Sequence, residues 1–152
     1  ARFSKDKAPY KINVGIQFRH FMGKDVHAPG FYFHLANDEC FVGAGIWRPE
    51  SKALNAIRTC IDENPNSYKK AICDEQFKSI FEMSGESLKR PPRGFEKDHP
   101  LIDELKRKDF IAISPLTQKQ ICSNNLVDTV LERYKVADSL MGYLCFALEQ
   151  PY

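Results

Sequence analysis

The chain reads as an α+β domain: an antiparallel sheet of about four to five strands packed against helices, with a long C-terminal helix. Three observations predict this. Apolar residues alternate at every second position before Pro49. After Pro49 they recur at helical spacing. The connection at Asn37-Asp38 is short, which suits neighbouring antiparallel strands and excludes a parallel crossover there. At 152 residues the chain is expected to form a single domain over 1–152.

The elements follow in order. Residues 1–11 carry Arg2, Lys5, Lys7 and Lys11 against Asp6, and Pro9 disfavours helix before it, so an irregular basic segment is expected. In residues 12–21, Ile12, Val14, Ile16 and Phe18 alternate with Asn13, Gly15, Gln17 and Arg19, as in a half-buried strand. Residues 23–30 are a loop. Residues 31–35 and 41–47 are paired strands, with Phe31, Phe33 and Leu35 on one face and Tyr32 and His34 on the other. Gly43 and Gly45 lie between Phe41 and Trp47 on one strand face. That is the pattern of a helix crossing closely or of a bulge, or of a flat floor open to a ligand.

Pro49 suits the first turn of a helix carrying Leu54, Ile57 and Ile61, which ends at Asn64-Pro65. A second helix is expected over 66–81, with Tyr68, Ile72 and Phe77 inward. Ser84-Gly85 is a turn, followed by a short strand into a central loop. His99-Pro100 opens another helix, with Leu101, Ile102 and Leu105 inward and cations at its end. Phe110, Ile111 and Ile113 mark a last strand. The long helix spans about 125–149, and Asn125 with Asp128 resembles a capping arrangement.

The central loop collects Lys89, Arg90, Pro91, Pro92, Arg93, Gly94 and His99. Proline fixes φ and removes a donor, so this stretch is an ordered loop with a cationic surface. The five cysteines are odd in number and none pair at C-x-x-C spacing, so free thiols are expected, packed as small hydrophobes, and no metal site. Residues 1–5 lack a signal-peptide pattern, and no apolar run is long enough for a membrane span. A cytoplasmic location is the expectation.

Several blocks carry a resemblance. Arg2-Phe3-Ser4-Lys5-Asp6-Lys7-Ala8-Pro9-Tyr10-Lys11 is the first. Pro29 to Leu35 and Gly43-Ala44-Gly45-Ile46-Trp47-Arg48-Pro49 continue it. Over 88–110 it adds Leu-Lys-Arg, Pro-Arg-Gly-Phe, Asp-His-Pro-Leu-Ile and Lys-Asp-Phe. The chain thereby resembles a bacterial and fungal family of conserved hypothetical proteins, a domain of unknown function. The resemblance implies membership and transfers no reaction. Members resemble one another in a helical region before the first block, whereas this chain starts inside that block. The expectation is therefore a single domain or the C-terminal part of a longer family domain.

Lys5, Lys7, Arg48, Arg90 and Arg93 fall in these blocks. Arginine offers a planar fork for phosphate or carboxylate. Should these residues converge, they form a cationic pocket for a small phosphorylated or carboxylated ligand; otherwise Asp6, Glu50, Glu96 and Asp98 are acids with which they can pair. His99, beside Asp98, is the candidate general acid or base, and His34 with Tyr32 is another. There is no P-loop, dinucleotide fingerprint or G-x-S-x-G elbow, and no cofactor is expected. Nucleic-acid binding through Tyr10, Tyr32 and Trp47 is a weaker reading, since Glu86, Glu96, Asp98, Asp103 and Glu104 nearly balance the cations of 86–108. A protein-interaction domain is the remaining class.

Overall fold

The computed structural model describes residues 13–19, 28–36 and 39–149. The predicted basic segment at 1–11 and most of the loop at 23–30 lie outside them. Within them the fold is α+β. The strands are β1 (Asn13–Arg19), β2 (Gly30–Ala36), β3 (Cys40–Ile46), β4 (Glu82–Ser84) and β5 (Phe110–Pro115). They form a 5-stranded sheet in the order β1-β2-β3-β5-β4, with every neighbouring pair antiparallel. The helices are α1 (Ser51–Glu63), α2 (Pro65–Cys73), α3 (Glu75–Ile80), α4 (Ile102–Leu105), α5 (Gln118–Ile121), α6 (Leu126–Val136) and α7 (Asp138–Ala147).

Register explains which face is buried. Phe31, Ala44, Ala112 and Met83 align across β2, β3, β5 and β4. Ala44 and Ala112 are fully buried, and the helices pack on their face. Ile57 and Ile61 of α1, Tyr68 of α2, Phe77 of α3, and Leu140 and Leu144 of α7 complete the core there. The inward stripe predicted for α1 is the observed one.

The opposite face carries Tyr32, Gly43 and Ile113 in register. A Cβ on Gly43 would meet the Tyr32 and Ile113 side chains at 3.5 Å, an ordinary packing contact. Gly45 has φ +137°, and a Cβ there would lie 2.0 Å from the Phe110 carbonyl oxygen. Its glycine is required by the close approach of the β5 backbone.

Several predicted boundaries differ, and the short strand expected after Ser84-Gly85 precedes that turn, as β4. The helix expected over 66–81 is two helices, because the Asp74 side chain accepts the Phe77 N–H at 3.1 Å and starts α3 as a new N-cap. The C-terminal helical run is jointed at Ala137, with φ −81° and ψ −1°, so it forms α6 and α7 rather than one helix. Asn125 makes no side-chain cap; the capping box is formed instead by Thr117 and Gln120 at the unforeseen α5.

Candidate functional site

The loop between β4 and α4 is fastened at both ends. At its entry, Asp109 is buried, and its carboxylate accepts the Arg48 N–H at 2.7 Å and the Glu86 N–H at 3.0 Å. Gly85 has φ +97° and lies so close that a Cβ would sit 2.5 Å from the Asp109 Cβ. Leu88 donates to the Lys106 carbonyl at 2.7 Å, and Lys108 donates to the Glu86 carbonyl at 2.8 Å. In the middle, Pro92 is buried and its carbonyl accepts the Phe95 N–H at 3.1 Å. Gly94, with φ +92°, makes that turn with open space around it. Phe95 packs against the core.

His99 fastens the exit. Its Nδ1 accepts the Leu101 N–H at 3.0 Å, and its Nε2 lies 2.8 Å from Asp62 Oδ1 on α1. An N–H pointing at Nδ1 fixes that nitrogen as the unprotonated one, so Nε2–H donates to Asp62. Its partner is thus Asp62 rather than the adjacent Asp98, and both ring nitrogens are spent on holding the loop. His34, the other histidine of interest, stacks on Phe41 with ring centroids 4.7 Å apart.

Arg90 and Arg93 are exposed on this fastened loop. Among the described residues neither makes an ion pair or a hydrogen bond through its side chain. Arg48 has φ +49°, and its guanidinium lies 5.9 Å from the centroid of the Trp47 ring. Asp109 connects Arg48 to the loop entry through backbone, but the three arginines share no common partner among the described residues. Lys5 and Lys7 lie outside the described residues. No group of His, Cys, Asp and Glu among the described residues could hold a metal ion. No described helix is long and apolar enough to cross a membrane.

Sequence reasoning missed two arginines that do structural work beside the loop. Arg58 is buried on α1 and donates to the carbonyls of Leu105 and Arg107, at 2.7 and 3.1 Å. Burial lowers its pKa. Arg107 forks onto Glu104 at 2.7 and 3.2 Å, and Tyr68 donates to the same carboxylate at 2.7 Å. Burial opposes the charge on Arg107, but Glu104 outweighs it and the net shift is upward. Burial first, and then Glu104, hold the Tyr68 hydroxyl protonated far above its ordinary range. The only local signal for Arg58 was its place on the apolar side of α1, next to Ile57 and four residues after Leu54.

Comparison with known proteins adds one result. Neither the search of curated proteins nor that of solved structures returned a match. A family model described as "Conserved hypothetical protein (DUF2461)" matches residues 1–143, and the chain belongs to that family.

Proposed function

We propose that the protein binds a small anionic ligand, phosphorylated or carboxylated, through the arginines of the central loop. The observation that carries this reading is the contrast between the loop's backbone and its cations. The backbone is tied down by Asp109, by the Lys106 carbonyl and by His99 with Asp62. Arg90 and Arg93 nevertheless have no carboxylate partner among the described residues, although Glu96 and Asp98 share the loop. An anchored loop loses little entropy when a ligand docks. Gly94 leaves backbone open beside Arg93. Arg48, Lys5 and Lys7 are proposed as further contacts, since they lie in the same set of sequence blocks.

Turnover with His99 as acid or base is not favoured, because both of its ring nitrogens are engaged within the fold. A reducing, cytoplasmic location fits the five free cysteines. The functional test is thermal stabilisation by a panel of phosphates, nucleotides and carboxylates, comparing the wild type with Arg90→Ala. Stabilisation lost in the variant supports the reading. No stabilisation by any member, or an equal response from both proteins to every phosphate and nucleotide that stabilises the wild type, contradicts it.

A further inference from the structure

We propose that the cleft between α3 and α6 is a separate binding site for a small organic carboxylate, with Arg133 as the fork that receives it. The cleft encloses about 530 Å³, lined in part by Gln76, Ile80, Glu132, Arg133, Lys135 and Val136. Ligand pockets are commonly of this size.

Arg133 is oriented by the strand beneath it. Its Nη1 donates to Ser114 Oγ and the Pro115 carbonyl, each at 2.6 Å, and more weakly to the Ser114 carbonyl at 3.4 Å. Those contacts fix the guanidinium plane through one nitrogen. Nε and Nη2 have no partner among the described residues. No carboxylate forms an ion pair with Arg133 within the described residues, although Glu132 precedes it. Burial lowers the Arg133 pKa, the direction expected of a cation without a counter-charge.

The other walls select the ligand class. Lys135 adds a second cation, while Glu132 disfavours a dianion such as phosphate. Ile80 and Val136 are half-buried and offer apolar contact to an organic body. A planar monocarboxylate with a branched apolar tail satisfies all of these features.

The test is an amide NMR titration with isovalerate, using inorganic phosphate as the comparison. Isovalerate is expected to shift Gln76, Ile80 and Val136 saturably. Arg133→Lys keeps the charge but loses the fork, and should weaken binding about tenfold. Arg133 also holds β5, so Lys135→Ala on the exposed side provides a second variant, expected to weaken binding about threefold. Four results would overturn the site: no saturable shift, shifts centred elsewhere, tighter binding of phosphate, or wild-type affinity in Lys135→Ala.

Discussion

Asp109 Oδ1 accepts the backbone N–H of Arg48 at 2.7 Å, while its other oxygen takes the N–H of Glu86 at 3.0 Å. One buried carboxylate thus joins the end of β3 to the entry of the central loop. Asp109→Ala should leave both N–H groups without acceptors and cost about 2–4 kcal/mol of stability, since hydrogen bonds to charged groups are the stronger kind. Urea unfolding measures it. A cost below about 0.5 kcal/mol, the range of neutral surface changes, would show that the clamp does not hold the loop.

The two loop glycines separate backbone strain from steric clash. Gly85 and Gly94 have similar φ values, +97° and +92°. Gly94→Ala meets only open space and should cost about 1–2 kcal/mol, the penalty for a side chain in left-handed backbone. Gly85→Ala must also displace Asp109, whose Cβ would be 2.5 Å away, and so should be clearly the more destabilising. Equal losses in a paired unfolding experiment would count against the close Gly85–Asp109 contact.

Thiol reactivity should follow burial. All five cysteines are free, with Cys73 and Cys122 exposed and Cys60 and Cys145 buried. Burial also raises the Cys145 pKa, which reduces its reactive thiolate. A thiol reagent should modify Cys73 and Cys122 rapidly in native protein, and Cys60 and Cys145 only after unfolding. Under denaturing, non-reducing conditions all five should react; a lower number would reveal disulfides and argue against a reducing location.

Alkaline pH should weaken the joint between α6 and the sheet. The Tyr134 hydroxyl donates to the Tyr32 carbonyl at 3.0 Å, and burial pushes its pKa from 10.0 up to about 12. The unfolded chain therefore releases this proton first. The stability linked to it is intact below pH 10.0 and declines as pH rises towards about 12. Tyr134→Phe should lessen this decline. Tyr68 and Tyr143, also raised by burial, should retain the rest. An unchanged alkaline profile in Tyr134→Phe would show that Tyr134 does not titrate in this way.

Strand pairing was legible because alternation is local: Phe31, Phe33 and Leu35 announce a face without help from distant residues. The inward stripes of α1 and α2 were legible for the same reason. The break at Asp74 was not, since helical spacing continues across it and only the side-chain cap to Phe77 decides the matter. The candidate site divided along the same line. Proline and glycine marked the loop, but Asp109, Asp62 and Arg58 make contacts that span 23 to 61 residues, and no local pattern shows those pairings. Arg133 was equally silent, because its role depends on β5 passing beneath α6.

We propose that Arg93 binds an anion rather than only carrying solvated charge. The direct measurement is thermal shift of wild type, Arg93→Lys and Arg93→Ala against the phosphate, nucleotide and carboxylate panel. Arg93 is exposed and unpaired among the described residues, so all three proteins should unfold at nearly the same temperature without ligand. A ligand at about a hundredfold over its dissociation constant should stabilise the wild type by about 2.7 kcal/mol. Arg93→Lys should respond less, having lost the bidentate fork, and Arg93→Ala least. Equal stabilisation of all three proteins by every phosphate and nucleotide that stabilises the wild type would contradict the claim.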